Sequence, residues 1–345
     1  MFQGSYEQVT DEVVLDSEYL PATLEQALNV SRVFFPTAEI RARASLKVLL
    51  QKSLSANAQA WDFSYLAKGY PVEFTFNAHQ SGIQYTTDIA GPQMSPNNVL
   101  AYALELLSEL GNDKLDEQQR FFFETLQQSS QLSYGCWVGG RHNLKGDEYK
   151  LYLEVPEGAD AMAIEWLRTC TPFKIDFYDH PINKHGQIKL EIIGYSLKSQ
   201  TIECYFSITD MAPWEIGRIL KPIQLENRRE YLIDLLQMAY CGVIYRELPS
   251  AEMGFSYAFS PSTNESVFSL YTFASSMFGG DRRVRDAILS LCRHQGWNMD
   301  YYEHFTRPFA ESQNTICTHG IFGIALDQKE NSTIYIGLKP PDCGL

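Results

Sequence analysis

The sequence predicts an α+β fold in which a ten-stranded antiparallel β-barrel is surrounded by a ring of helices. From about residue 70 onward, the chain repeats a unit of two short alternating strands followed by one or two amphipathic helices, and this unit can be followed through five hairpins. Each helix has one apolar face to bury, and closing the sheet removes its exposed edges. A barrel wrapped by helices satisfies both requirements. Ten strands also make the barrel too wide for side chains alone to fill, so its interior can hold a ligand.

The 345 residues are predicted to form a single domain, residues 1–345, with two parts. Residues 1–68 form a helical N-terminal portion, because the segment from Ala38 to Leu54 has the spacing of an amphipathic helix. Residues 69–341 carry the barrel repeats, and their five hairpins supply the ten strands.

The hairpins and helices follow from the alternation of apolar and polar residues along the chain. The predicted strand pairs are Pro71–Ala78 with Gly82–Ala90, Gly135–His142 with Glu148–Val155, Ile188–Ser196 with Thr201–Thr209, Gly254–Ser260 with Ser266–Ser275, and Gly320–Asp327 with Ser332–Leu338. The predicted helices between them are Asn97–Leu110, Asp116–Gln131, Asp160–Cys170, Pro213–Leu220, Asn227–Tyr240 and Asp281–Gln295, with Asn97 and Asp116 as N-caps.

The first predicted strand carries a carboxylate between apolar residues. In the stretch from Gly69 to Asn77, the apolar residues at positions 72, 74 and 76 face one way, while Glu73 and the polar residues at positions 75 and 77 face the other. Burying an unpaired carboxylate costs several kcal/mol, roughly. A glutamate on such a strand is therefore exposed to solvent, paired with a cation, or kept for chemistry.

A tyrosine recurs at one position in the second strand of each hairpin. Tyrosines suit strands in general, but five of them at the same phase favour a common lining of the barrel interior. The aligned tripeptides are Ile83-Gln84-Tyr85, Lys150-Leu151-Tyr152, Glu203-Cys204-Tyr205, Ser269-Leu270-Tyr271 and Thr333-Ile334-Tyr335.

Composition excludes several classes of partner. The 28 Lys and Arg against 42 Asp and Glu give a net charge of −14, which argues against nucleic acid and anionic membranes as main partners. The seven cysteines are scattered without C-x-x-C spacing, so neither a zinc site nor a disulfide framework is expected. No apolar run approaches membrane-spanning length, and the first residues lack a signal-peptide pattern. We therefore expect a soluble cytoplasmic protein.

Taken together, the repeat and the glutamate strand resemble the aromatic prenyltransferases of the αββα (ABBA) barrel, in particular the dimethylallyltryptophan synthase type. The family's motif, G-x-P-x-E-x-S-x-N in outline, looks like the stretch from Gly69 to Asn77, with Thr75 in place of serine. The resemblance covers about residues 70 to 340. It implies a small aromatic substrate of the indole or tryptophan type, a prenyl diphosphate as second substrate, a place in alkaloid or other secondary metabolism, and no obligatory metal cofactor.

The resemblance also implies roles for individual residues. Glu73 would hold the indole N–H and accept a proton, and physical chemistry agrees, because burial in an aromatic tunnel raises the pKa of a carboxyl group toward neutrality. Lys150 would contact the prenyl diphosphate. Rings around an allylic cation stabilise it and exclude water, and this role is implied for Tyr152, Tyr205, Tyr271 and Tyr335.

Four positions depart from the family's pattern around the diphosphate. Gln84 stands where an arginine is usual, and Ser269 stands where a glutamine is usual. On the third hairpin, Thr201 and Glu203 replace two cations, and Glu203 would repel a phosphate. Lys150 is the cation that remains at a matching position. Other cations that could be recruited are Arg141, Lys145, Lys189, Lys198 and Lys339.

Three functions are compatible with these residues. The first is an aromatic prenyltransferase, which transfers an allylic group from a prenyl diphosphate to an aromatic acceptor. The principal alternative is an enzyme of the same fold that has lost diphosphate binding and uses Glu73 and Glu203 for acid–base cyclisation or rearrangement of an aromatic or alkaloid natural product. The third is a small-molecule binder without catalysis.

Overall fold

The computed structural model describes residues 20–54, 64, 66, 69–91, 93–112, 115–173, 175, 188–311 and 317–340. The strands are β1 (Val72–Asn77), β2 (Gly82–Thr87), β3 (Cys136–Asn143), β4 (Gly146–Glu154), β5 (Ile188–Ser196), β6 (Ile202–Thr209), β7 (Glu252–Ser260), β8 (Glu265–Phe273), β9 (His319–Asp327) and β10 (Ser332–Leu338). They form one closed antiparallel barrel in the order β1-β10-β9-β8-β7-β6-β5-β4-β3-β2. The predicted fold class is confirmed.

Helices of the described residues surround the barrel. They are α1 (Ala22–Phe34), α2 (Pro36–Leu49), α3 (Gln51–Leu54), α4 (Pro96–Glu109), α5 (Glu117–Gln128), α6 (Asp160–Cys170), α7 (Ile216–Leu220), α8 (Arg229–Tyr240), α9 (Ala274–Phe278), α10 (Asp281–Gln295) and α11 (Asp300–Phe305). The first three belong to the N-terminal portion predicted to be helical, of which residues 1–19 and most of 55–68 lie outside the described residues. None of the described helices has the length and apolar character needed to cross a membrane.

The barrel has two distinct ends because each strand pairs with the next one along the chain. The five turns within hairpins, at 78–81, 144–145, 197–201, 261–264 and 328–331, therefore lie at the same end, which we call the hairpin end. The segments that connect one hairpin to the next lie at the opposite end, which we call the helix end. A residue's position along its strand thus tells which opening of the barrel it is near.

The outer face of the barrel is packed against the helices, as the alternation in β1 illustrates. Phe74 and Phe76 are almost completely buried and contact aromatic rings of α11, with ring centroids 5.5 Å apart for Phe74 and Phe305 and 4.8 Å for Phe76 and Phe305. Fully buried phenylalanines each remove a large apolar area from water, which stabilises the attachment of the helices. The polar residues of β1 then necessarily face the barrel interior.

Tyr85 corrects one of the sequence predictions, since it lies on the outer face and not in the interior. It pairs with the outward-facing Phe74, whereas Thr86 pairs with the inward-facing Glu73. Its hydroxyl is 2.6 Å from Ser45 Oγ on α2 and 2.9 Å from His142 Nε2 on β3. The alignment of the five tripeptides is therefore shifted by one residue in the first hairpin, and a shift of one residue moves a side chain to the other face.

The helix predictions hold for type and place and differ at some ends. Asp116 caps α5 by accepting from Gln119 N–H at 2.7 Å, as predicted, and Gln119 completes a capping box. Asn97 is not an N-cap, because α4 begins at Pro96 after Ser95. Proline at the first helical position needs no hydrogen bond there, which explains the earlier start.

Candidate active site

The interior of the barrel is lined by one face of every strand, and the pairing of strands identifies its members. Starting from Glu73, pairing leads through Thr86 and Gly139 to Lys150. The remaining predicted residues on this inward face are Gln84, Tyr152, Glu203, Tyr205, Tyr271 and Tyr335. All of these side chains keep some accessible surface, unlike their fully buried outward neighbours such as Leu151 and Cys204. The inward face therefore borders open space.

Glu73 lies near the helix end of the lumen, and two glycines make room for its carboxylate. A Cβ atom at Gly320 on β9 or at Gly337 on β10 would collide with its oxygens. Among the described residues, Glu73 has no hydrogen-bond or ion-pair partner, so nothing there compensates the burial of its charge. Burial raises the pKa of Glu73 from the usual 4.5 to about 7. The group can therefore take up or release a proton near neutral pH.

Lys150, in the middle of β4, forms the charged centre of the lumen with Glu203 on β6. The Lys150 ammonium group donates a short hydrogen bond to Glu203 Oε2 and a second one to the Tyr205 hydroxyl at 2.8 Å. Ser256 Oγ donates to the other carboxylate oxygen of Glu203 at 2.6 Å. Burial lowers the pKa of Lys150, but the Glu203 carboxylate outweighs this effect and the pKa is raised. Burial likewise opposes ionisation of Glu203, yet Lys150 holds its pKa below the usual value. Both groups are therefore charged.

Four tyrosine rings line the lumen around this pair. The Lys150 ammonium group lies 4.7 Å from the ring centroid of Tyr152 and 5.1 Å from that of Tyr205. The rings of Tyr152 and Tyr205 are 5.9 Å apart, and those of Tyr205 and Tyr271 are 6.3 Å apart. Tyr335 lies close to the same pair. Burial is the main cause of its raised pKa, and the nearby charge of Glu203 is the next. Burial also raises the pKa of Tyr205 and Tyr271 well above the usual value, so these rings stay neutral.

The remaining predicted cations occupy both ends of the barrel. Arg141 faces the lumen on β3, directly opposite Gln84 on β2, and it is a diagonal neighbour of Lys150 across β3 and β4. Lys145 and Lys198 belong to hairpin turns at the same end as Arg141. Lys189 is at the helix end, where it pairs with Glu191 at 3.1 Å. Lys339 follows β10 at the helix end.

A stacked aromatic pair is found at the helix end of β3. Trp137 faces the lumen opposite Tyr152, and its ring stacks on Tyr134 with centroids 4.1 Å apart and planes inclined by 13°. The indole Nε1 of Trp137 is buried and has no hydrogen-bond partner among the described residues. An unsatisfied buried donor costs about 1 to 3 kcal/mol, so this N–H is available to an acceptor atom of a ligand.

At the opposite end, a cavity of about 480 Å³ opens beside the hairpin between β9 and β10. Inward-facing residues of the last three strands, among them Val267, Ala325 and Thr333, form its wall, and His79 and Asp327 lie at its rim. The lumen wall formed by the last three strands therefore borders a cavity at the hairpin end.

No family model matches the sequence, and neither does any curated protein. Solved structures match over nearly the whole chain. The 6-dimethylallyltryptophan synthase from Micromonospora olivasterospora, in complex with DMASPP and Trp, has a TM-score of 0.71 at 16% identity and covers 92% of this chain and 98% of its own. The 5-dimethylallyltryptophan synthase from Streptomyces coelicolor gives 0.69 at 13%, covering 94% and 96%. The ternary complex of the prenyltransferase PriB with L-tryptophan and dimethylallyl thiolodiphosphate gives 0.70 at 12%, covering 92% and 95%.

The chain has the aromatic prenyltransferase barrel fold. At these identities the likeness concerns the fold alone. Within this barrel, eight of the nine predicted site residues line one lumen, and Tyr85 lies outside it.

Glycines on the inward face are the main feature that sequence reasoning missed. The Tyr271 ring lies over Gly254, the Tyr335 ring lies over Gly323, and the Lys150 side chain crosses Gly194, where a Cβ would be 3.0 Å from its Nζ. Each glycine is paired with or adjacent to the large side chain that it accommodates. Glycine inside a strand marks such close approach, so this signal was present in the sequence. Ser256 carried no comparable signal.

A cluster with the chemistry of a metal site lies outside the lumen. Asp281, Cys317 and His319 place one potential ligand atom each within 4.8 Å of one another, and all are buried. His319 Nδ1 is 2.6 Å from Asp281 Oδ1, and His319 Nε2 is 2.9 Å from the Tyr302 hydroxyl. Asp281 also accepts from the backbone N–H of Thr318 and of His319. Since these ligand atoms already bond to one another and to the backbone, the cluster fits a link between α10, α11 and β9 better than a metal site.

Proposed function

We propose that this protein is an enzyme that transfers an allylic group from a prenyl diphosphate to a small aromatic acceptor of the indole or tryptophan type. The observation that carries the proposal is Glu73, a carboxylate without a partner among the described residues, in a tyrosine-lined lumen. The shared fold also supports the proposal. The matched dimethylallyltryptophan synthase from M. olivasterospora was solved with DMASPP and Trp.

In the proposed reaction, the allylic C–O bond breaks and diphosphate leaves with the bonding electrons. A ring carbon of the acceptor then attacks the allylic carbon, and a C–C bond forms. The proton on that ring carbon must be removed to restore aromaticity, and Glu73 is suited to take it. With a pKa of about 7, a substantial fraction of Glu73 is ionised at neutral pH and the group is still basic enough for proton transfer. Its carboxylate can also accept a hydrogen bond from an indole N–H.

The tyrosines would protect the allylic cation. Tyr152, Tyr205 and Tyr271 form a continuous row of rings, with neighbouring centroids 5.9 Å and 6.3 Å apart. The faces of such rings attract a cation, and their bulk keeps water away from it. Because burial raises the pKa of Tyr205 and of Tyr271, these two hydroxyls would not compete with the acceptor as phenolate nucleophiles.

The diphosphate would bind beside these rings, at Lys150 and Arg141. These two cations are diagonal neighbours on adjacent strands. Arg141 lies directly opposite Gln84, on the neighbouring strand, and would supply the positive charge that Gln84 does not carry. A guanidinium group can hold two phosphate oxygens at once, while an ammonium group acts as a point charge. The resemblance to the family implies no obligatory metal for this binding.

One observation favours a second candidate function. Because Glu203 already neutralises Lys150, the lumen can also serve acid–base cyclisation or rearrangement of an aromatic substrate without any diphosphate. In that reaction Glu73 would act as the base, and the Lys150 ammonium group, bonded to Tyr205, would act as the acid.

A donor-binding experiment separates the two functions. Purified protein is titrated with dimethylallyl and geranyl diphosphate in a calorimeter, and pyrophosphate release is then followed with tryptophan or an indole peptide as acceptor. Prenyl transfer predicts saturable binding and acceptor-dependent release that Glu73→Gln abolishes. Absence of binding for every allylic diphosphate would reject prenyl transfer and favour the acid–base reaction.

A further inference from the structure

The contact between Lys150 and Glu203 is set by the backbone of three neighbouring strands as well as by their opposite charges. The Lys150 side chain leaves β4, crosses Gly194 of β5, and reaches Glu203 on β6. A side chain at Gly194 would block this path, since a Cβ there would be 3.0 Å from Lys150 Nζ. Three adjacent strands thus place this ammonium group against this carboxylate.

The carboxylate is held on its other side as well. Ser256 on β7 donates to Glu203 Oε1 at 2.6 Å, so each oxygen of Glu203 has a donor. The side chains of Lys150 and Glu203 are only 17% and 16% exposed. A partly buried pair in which each carboxylate oxygen has a donor resists separation, because leaving either charge alone would be costly.

An incoming diphosphate meets this pair in an unfavourable arrangement. Its oxygens need the Lys150 ammonium group, of which two donors are already engaged by Glu203 and Tyr205. If the diphosphate takes Lys150 over, Glu203 loses its counter-ion and faces a dianion or trianion at short range. Juxtaposed like charges in such a site cost several kcal/mol, roughly. Arg141, the neighbouring inward cation, does not remove this repulsion. On β3 it lies two residues beyond Gly139, the pairing partner of Lys150, and its own pairing partner is Glu148.

We propose that Glu203 is a specificity-determining residue that holds Lys150 in an internal ion pair and keeps the affinity of the lumen for diphosphate low. This inference rests on the proposed function, because it assigns Lys150 to the diphosphate. It predicts that the native enzyme accepts a prenyl donor weakly and that removing the Glu203 charge opens the site to diphosphates in general.

The test measures the affinity of inorganic pyrophosphate, by calorimetry at fixed pH and ionic strength, for the full-length protein. Glu203→Gln keeps the shape of the side chain and the hydrogen bond from Ser256 while it removes the charge, and it should tighten pyrophosphate binding by about tenfold or more. Glu203→Ala serves as a second variant and should act in the same direction. Glu191→Gln is the matched control, because this carboxylate is 39% exposed at the helix end and pairs with Lys189. It should leave the affinity unchanged.

Three outcomes decide the matter. Tighter binding that disappears when Lys150→Met is added to Glu203→Gln supports the proposal. Equal or weaker binding in both Glu203 variants overturns it, and so does an equal gain in Glu191→Gln, which would show a general charge effect. The proposed function is judged separately by pyrophosphate release from a prenyl diphosphate with the native protein. Native protein without release, combined with strong binding by Glu203→Gln, would reject prenyl transfer and support the role of Glu203.

Discussion

Replacing Glu73 by glutamine should remove a pH-dependent cost of folding. Burial raises the pKa of Glu73 from 4.5 to about 7, so the folded state binds a proton more tightly than the unfolded chain. Its contribution to stability is therefore complete below pH 4.5 and is lost as the pH rises through about 7. Because one pKa unit corresponds to about 1.4 kcal/mol, the loss amounts to roughly 3 kcal/mol at most. The value is an upper bound, since the carboxylate keeps accessible surface in the lumen.

Urea unfolding of the native protein and of Glu73→Gln, at pH values on both sides of this window, tests the argument. The stability of Glu73→Gln relative to the native protein should rise from acid to neutral pH by up to roughly 3 kcal/mol. Glu109→Gln, at an exposed position of α4, is the matched control and should show no such trend. A difference between native protein and Glu73→Gln that stays constant with pH would refute the account of an uncompensated buried carboxylate.

Three further substitutions test the placement of side chains. Tyr85→Phe should lower stability by about 1 to 3 kcal/mol in urea unfolding and leave turnover intact, because this hydroxyl bonds on the outer face; loss of turnover at unchanged stability would contradict its place there. Gly337→Ala should displace the Glu73 carboxylate and lower turnover about tenfold or more, with little change in melting temperature. Gly217→Ala is the control, because the nearest atom to a Cβ there is 3.5 Å away, and it should change neither turnover nor melting temperature. Full activity of Gly337→Ala would refute the role of this glycine. Trp137→Phe keeps the stack on Tyr134 but removes the buried N–H, so KM for the aromatic acceptor should rise several-fold, by about 1 kcal/mol in binding, with kcat unchanged; an unchanged KM would show that this N–H does not contact the substrate.

Much of the fold could be predicted because alternation along a strand depends only on local sequence. Alternation predicted that Glu73 and the apolar residues beside it face opposite ways, and the structure places Phe74 and Phe76 in the outer layer accordingly. Closure of the barrel followed from the count of hairpins and the need to cover sheet edges. The helices α9 and α11 were not predicted, since five or six residues are too few to show a helical period.

The candidate site was only partly predictable, because it depends on register between strands that are distant in sequence. Tyr85 was assigned to the lumen by its place in an alignment, but pairing with Phe74 turns it outward. The contact of Lys150 with Glu203 depends on Gly194 lying between them, which no pattern within one strand reveals. The sequence showed that an acid, Glu203, stands where the family has a cation. The structure shows that this acid binds Lys150, the cation that remains.

The most direct test of prenyl transfer with Glu73 as base is mass spectrometry of the product formed from tryptophan and dimethylallyl diphosphate. Native protein and Glu109→Gln should both give an acceptor that is heavier by one isoprene unit on a ring carbon. Glu73→Gln should form it roughly 100-fold to 10,000-fold more slowly. Equal rates in the native protein and Glu73→Gln would contradict the role of this carboxylate, and absence of the heavier product with native protein across allylic donors and indole acceptors would contradict prenyl transfer itself.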